Sequence, residues 1–263
     1  MSEKLRLGGM ALRNGLLVHG PTHWAAAVRL RGGGIKVASG RKPDLGADAT
    51  ERIPGLRGVT KLAEAFALLP IVKRRLPEAR MPVQDARTIA AMGAATLAGK
   101  VIRATGGRTL AREAALAAIS FAPAVLSVRG DLASYHGVEH KAIGAYEEGG
   151  ESAEASKEHD RCGSNLVAPL LATTALGSAA ARRAGMSGPA VDGAIAIGSV
   201  AVAVEVFRWS ERHAQSGLSR ALRRPGRELQ RLFATREPSS EQLEVGKAAL
   251  AEILRREGAV ETD

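Results

Sequence analysis

Residues Ser164–Phe207 read SNLVAPLLATTALGSAAARRAGMSGPAVDGAIAIGSVAVAVEVF. The first eighteen, Ser164 to Ala181, carry no charge, and Pro189 to Phe207 carries only Asp192 and Glu205, near its two ends. Each run approaches the roughly 20 apolar residues with which a helix crosses a bilayer. Alanine contributes little to membrane insertion, so the same runs also suit closely packed helices in a soluble bundle. Thr88–Ile102 and Ala114–Val128 are similar Ala-rich segments; the first is interrupted by Lys100 and both read as shorter. Pro123 and Pro169 are expected to kink their helices. The expected fold class is mainly α: an Ala-rich, transmembrane helical bundle with a small N-terminal β-hairpin unit. Arg103, Arg108 and Arg112 flank one turn and Arg182 and Arg183 another that should lie on the same side, so charge does not orient the bundle.

The 263 residues suit one large or two modest domains, and the 45% apolar content is ample for a core. Aromatic residues make up only 3% while Ala and Gly abound, which favours helices packed through small residues. A net charge of +10 is spread through both ends and the turns. With no aromatic interleaving or nucleic-acid motif, anionic lipid headgroups are the expected partner and nucleic acid is not. The lone Cys162 excludes an intrachain disulfide, and no signal peptide is visible at the start.

Four regions are expected. Residues 1–54 are a β-rich unit with a polar linker: Leu16–Val18, Trp24–Arg29 and Ile35–Ser39 read as strands, the last two joined as a hairpin across Gly32–Gly34. His19 and His23, with Gly20 and Pro21 between them, read as turn histidines. Arg41–Pro54 reads as a polar connection. Residues 55–87 hold a basic amphipathic helix in which Leu56, Val59, Leu62, Phe66 and Leu69 recur until Pro70, followed by Lys73, Arg74 and Arg75; its form suits a globular core or a membrane surface. Residues 88–213 are the helical, membrane-embedded core carrying the candidate site. Residues 214–263 are a basic segment and a final docking helix, opened by a Ser239/Gln242 capping box with Leu243, Leu250, Ile253 and Leu254 as its apolar stripe.

The chemistry is concentrated between Tyr135 and Cys162, which holds three of the six histidines and the only cysteine. His136, Glu139 and His140 form H-x-x-E-H. Positions i and i+4 lie on one helical face, so two imidazoles so spaced can grip one divalent ion, and Glu139 beside them can take a proton from water that the ion has acidified. A catalytic site needs a third ligand and an open position. Glu147 lies on the same stripe, but about 10 Å further along the axis, too far to serve. Gly149 and Gly150 should end the helix and let His159 or Cys162 fold back over the pair. Cys162 also precedes Gly163 and Ser164, at what reads as a helix start whose dipole favours a thiolate. The candidate set is therefore His136 and His140 with His159 or Cys162 as metal ligands, and Glu139 as the catalytic carboxylate. Mixed imidazole and thiolate donors favour zinc among divalent metals. Other readings are a solvated histidine pair, a closed structural site using all four donors, and Cys162 as a nucleophile with a histidine base.

Several stretches taken together resemble a known family: GGMALRNGLLVHGP (8–21), PGLRGVTKLAEAF (54–66), YHGVEHKAIGAYE (135–147), HDRCGSN (159–165) and QRLFATREPSSEQLEVGKAAL (230–250). Their order is similar to that in the YqhQ-like family, the bacterial domain of unknown function 1385, over nearly the whole chain. The resemblance implies a multi-spanning cell-membrane protein and a metal-dependent enzyme without an established activity. It carries over to His136, Glu139, His140, Glu147 and Cys162, and to Gly8, Gly9 and Gly15; Met10 and Asn14 stand where Gln and Glu are usual. The expected function is metal-dependent hydrolysis at a cytoplasmic-facing membrane site, with a peptide or other amide bond as target. The alternative is a non-enzymatic membrane assembly or scaffold protein with a structural metal site.

Overall fold

A computed structural model describes residues 4–82, 86–104 and 109–259. Four strands, β1 (Gly8–Leu12), β2 (Gly15–His19), β3 (His23–Arg29) and β4 (Ile35–Arg41), precede the helices α1 (Ala47–Thr50), α2 (Leu56–Arg75), α3 (Ala86–Ala104), α4 (Leu110–Ser127), α5 (Asp131–Glu148), α6 (Val167–Arg183), α7 (Pro189–Arg212), α8 (Gly217–Leu229) and α9 (Ser240–Arg256). A 3₁₀ turn, Gly163–Leu166, leads into α6, and a π turn, Gln230–Ala234, follows α8.

The strands form an antiparallel meander in the order β1-β2-β3-β4. The hairpin expected across Gly32–Gly34 is β3–β4, with Arg29 opposite Ile35 and Gly33 at φ 97° in its turn. β1 has no counterpart in the sequence reading, because its paired glycines carry little β-propensity; it is held by pairing, Gly9 opposite Val18. His19 and His23 are strand ends rather than turn residues, which leaves Gly20–Thr22 to make the turn. The stretch read as a polar connection contains the end of β4 and all of α1.

Side chains alternate across the sheet, and both faces are covered. On one face Ala11, Leu16, Val18, Ala25 and Ala27 pack with Val138 and Ile143 of α5 and with Val245 and Ile253 of α9. On the other, Leu12, Leu17, Trp24, Ala26 and Val28 pack with Leu68 and Val72 of α2 and with Leu76 and Ala79 beyond it. Burial on both faces is why β3 reads as a continuous Trp-Ala-Ala-Ala-Val run. α2 continues through Pro70, which is exposed, so the carbonyl it leaves unbonded lies on the outer side. Its expected apolar stripe also faces outward at Leu56, Leu62 and Phe66, while Gly58, Glu64, Leu68 and Val72 point inward.

α3, α4, α6 and α7 lie side by side as a second layer, and α2 crosses α7 where a Cβ on Gly58 would strike Val204. Near that crossing Glu205 accepts bonds from Gly55 N at 2.9 Å and from Arg57 Nε at 2.7 Å. Among the described residues, three helical segments are long and apolar enough to cross a membrane: Leu110–Ser127, Gly163–Arg183 and Pro189–Arg212. At 1.5 Å per residue they span about 27 to 36 Å, against a hydrocarbon core of about 30 Å. α4 joins the two expected spans because Thr109 caps it earlier than the sequence reading placed its start, and it runs through Pro123. Pro169 falls in the first turn of α6, where an i−4 amide bond is not formed and no kink is needed. Only 11% of the α7 window is buried within the molecule.

Candidate metal centre

α5 starts at Gly130 without a side-chain cap and ends at Gly149, whose left-handed φ of 80° suits glycine. It is buried almost all round, and glycines allow the close approaches: a Cβ on Gly137 would strike the Arg236 carbonyl, and one on Gly246 would come within 2.5 Å of Val138. Lys141, buried on this helix, donates to the Ala153 carbonyl at 3.0 Å and pairs with Glu237 at 2.6 Å, tying two distant loops to it.

His136 and His140 share one face, with ring centroids 4.4 Å apart. Each ring is anchored at Nδ1. His136 Nδ1 donates to the Ala234 carbonyl at 2.8 Å, and His140 Nδ1 donates to the Lys157 carbonyl at 2.6 Å. A carbonyl only accepts, so the proton of each neutral ring is on Nδ1 and Nε2 carries the lone pair. His140 Nε2 is buried without a hydrogen-bond partner. Cys162 Sγ lies 3.4 Å from His136 Nε2 and accepts the Ser164 N–H at 3.5 Å. One donor atom from each of His136, His140 and Cys162 lies within 4.8 Å of the other two. Two imidazoles oriented by backbone carbonyls, with a thiol beside them and one ring nitrogen otherwise orphaned, fit a soft or borderline divalent ion.

The segment after α5 folds back over the histidine pair, as expected, and it is Cys162 that joins them. His159 lies alongside, its ring 5.7 Å from that of His140, but both its nitrogens are engaged. Its Nδ1 accepts the Arg161 N–H at 3.3 Å, so Nε2 carries the proton and donates to Glu147 Oε2 at 3.2 Å. Glu147 also pairs with Arg161, so its carboxylate is turned to the fold-back segment.

Gln230, the first residue of the π turn, holds that segment in place. Almost fully buried, it accepts the His159 N–H at 2.8 Å and donates to the His159 carbonyl at 3.2 Å and to Ser164 Oγ at 2.8 Å. The Ala234 and Lys157 carbonyls have no place in the sequence reading, because carbonyl acceptors leave no mark in side-chain spacing, and Gln230, though it opens one of the quoted stretches, has no role there. The signal that could have found Gln230 is an uncharged residue in a strongly basic stretch.

Glu139 is buried on the flank of α5 that faces β1, with Oε2 at 3.9 Å from His136 Nε2. A Cβ on Gly9 would come within 2.6 Å of the Glu139 side chain, so the bare backbone of β1 is what admits this carboxylate. His19, opposite Gly8 on β2, completes this end of the sheet. Burial and then the Lys42 ammonium push its imidazole below the usual range, against the opposing pull of the Gly20 backbone and of Glu139 and Glu64, so it is neutral near pH 7.

No curated protein and no solved structure matches the chain. One family model does, over a span that takes in α5, the fold-back segment, the two longest apolar helices and all of α9, but not the sheet or α2. Residues 115–256, more than half of the chain, match the model described as "Protein of unknown function (DUF1385)", and the chain belongs to that family.

Proposed function

We propose that the chain is a multi-pass cell-membrane protein with a metal-dependent hydrolytic centre, in which His136, His140 and Cys162 hold one zinc-like divalent ion and Glu139 is the general base. The observation that carries this reading is the matched pair of Nδ1 anchors, which present both Nε2 lone pairs to the region of the Cys162 sulfur while His140 Nε2 has no other partner. Three protein donors leave a fourth position open, as catalytic zinc sites do. A bound ion would supply Lewis acidity and acidify a water near neutral pH. The protein's own part is to hold the two rings in one tautomer, to shield the site with the fold-back segment, and to receive a proton on Glu139. A peptide or other amide bond is the target class. Anionic lipid headgroups are the surrounding partner, and the centre faces the cytoplasm.

Elemental analysis of protein purified in mild detergent tests the ligand set. The wild type and His159→Ala should carry about one zinc-like ion per chain, and His136→Ala, His140→Ala and Cys162→Ser should lose it. Glu139→Gln should keep the ion but lose hydrolysis of a quenched fluorescent polypeptide pool by at least roughly a hundredfold. A wild type that is metal-free and rebinds none would remove the hydrolytic reading. Full function of Glu139→Gln, with metal retained, would transfer the centre to a structural role in a membrane assembly protein.

A further inference from the structure

α2 has one covered side and one open side. Leu68 and Val72 pack in one cluster with Leu17 and Trp24 of the sheet, and Glu64 is buried on the same side. On the opposite side Leu56, Val59, Leu62, Ala63, Phe66 and Pro70 recur at helical spacing with no charge among them, and Leu56, Leu62 and Phe66 are 44%, 36% and 54% exposed. Arg74 and Arg75 are exposed just beyond this stripe, in the last turn. The level at which α2 crosses α7 is set by its glycines: a Cβ on Gly55 would lie 3.6 Å from Ala201, and one on Gly58 would strike Val204. α7 carries no charge from Gly193 to Val204, and then four in the next eight residues, Glu205, Arg208, Glu211 and Arg212. The crossing therefore falls where α7 passes from an apolar to a charged surface, with Arg57 paired to Glu205 and Arg208 to Glu51 at 3.0 Å. Trp209, stacked on His213 with ring centroids 4.8 Å apart, stands at about the same level, and amphipathic rings collect at the membrane–water interface. Ile197, Ala201, Val204 and Arg208 share one side of α7. Beyond the crossing, towards the start of α7, that side is open, with Ile197 63% exposed.

We propose that α2 lies in the plane of the bilayer surface with its open stripe sunk among the upper acyl chains, and that it seats the sheet on the membrane. This rests on α7 being a membrane span, and not on metal or on hydrolysis. Lipid that covers Ile197 continues, at the crossing, onto the open stripe of α2, while the sheet holds the other side of the helix. An apolar stripe opposite a protein core, at the depth where the neighbouring span turns charged, fits an interfacial helix, whose apolar face sinks about 5–10 Å into the boundary between headgroups and acyl chains. Pro70 favours lipid over a second copy of the chain. It leaves the Phe66 carbonyl without its helical bond on the open side, where interfacial water supplies a partner and a dry protein contact supplies none. Arg74 and Arg75 then extend their stems outward to headgroup phosphates. The ion pair of Arg6 with Glu211 at 2.8 Å ties the segment before β1 to the same end of α7, so the sheet is held at that surface from its first strand as well as from α2.

The test uses the full chain in vesicles of phosphatidylglycerol and phosphatidylcholine, the latter brominated either high on the acyl chain or near its end. The fluorescence of Phe66→Trp and, separately, of Leu62→Trp is read above the wild-type emission of Trp24 and Trp209, so one variant still carries the test if the other fails to fold. Ile197→Trp on α7 is the control for the span. The emission added by Phe66→Trp and by Leu62→Trp should fall by roughly half with the upper bromines and much less with the lower ones, and Ile197→Trp should be quenched as well. Quenching of Ile197→Trp with none of Phe66→Trp or Leu62→Trp would overturn the proposal and leave the span standing. No quenching of any of the three would remove the span and the proposal with it. A short bis-maleimide that links Phe66→Cys chains into dimers in the same vesicles, where wild-type chains with Cys162 alone stay monomeric, would assign the stripe to a second copy and likewise overturn the proposal.

Discussion

Gly9 is a glycine because of a residue on another element. Its missing side chain is the space into which Glu139 leans, and a methyl group there would come within 2.6 Å of the carboxylate. Gly9→Ala should displace the Glu139 side chain at a stability cost of about 1–3 kcal/mol, keep the metal of the proposed centre and reduce hydrolysis at least tenfold. Elemental analysis beside the fluorescent polypeptide assay checks both halves, and unchanged hydrolysis would detach Glu139 from its proposed role. At this scale the i, i+4 histidines and the intervening glutamate were legible, since spacing alone puts them on one helical face. The choice between His159 and Cys162 was not. The proposed preference for Cys162 draws on the Arg161 N–H reaching His159 Nδ1 and on Glu147 taking the other nitrogen, and both follow from the fold-back segment's path.

Among the elements, α9 does more than dock. Glu257 at its C-terminal cap accepts the N–H groups of Thr22 at 2.9 Å and His23 at 2.7 Å and the Thr22 hydroxyl at 2.8 Å, and so clamps the β2–β3 turn to the helix. Burial alone would raise its pKa, but the bonds from His23 and Thr22 outweigh it and hold the carboxyl below the usual glutamate range. A carboxyl depressed in the folded state stabilises above its unfolded value, about 4.3, and that contribution fades as pH falls through the folded value. Glu257→Gln should therefore lower the thermal midpoint in detergent near pH 7, by an amount equivalent to roughly 1 kcal/mol, with the gap between the two proteins closing below about pH 4. A gap that is the same at pH 7 and pH 3.5 would show that the charge is not what matters. The Ser239/Gln242 capping box and the β3–β4 hairpin were legible because their signals are local. β1 and the outward stripe of α2 were not, because pairing partners and the covered face are decided by elements far along the chain.

For the molecule as a whole, two of the three long apolar helices were legible from their uncharged runs; α4 was obscured by Arg112 and Glu113 in its first turn. With so little of α7 buried internally, lipid is its natural cover, and the protein should stay with the membrane pellet after alkaline carbonate extraction. Recovery as a monodisperse species without detergent would return the helices to a soluble bundle. The anchors of the histidine pair also impose an order in time. His136 reaches a carbonyl 98 residues further along the chain. At about 5–20 residues per second, a ribosome takes about 5–20 s to get from one to the other. α6 and α7 are therefore made, and free to enter the bilayer, while one imidazole still lacks the partner that sets its tautomer. If the proposed centre binds metal, its complete donor geometry then follows the synthesis of Ala234, and a chain released before that residue would carry both histidines and the three long apolar helices with the centre unassembled.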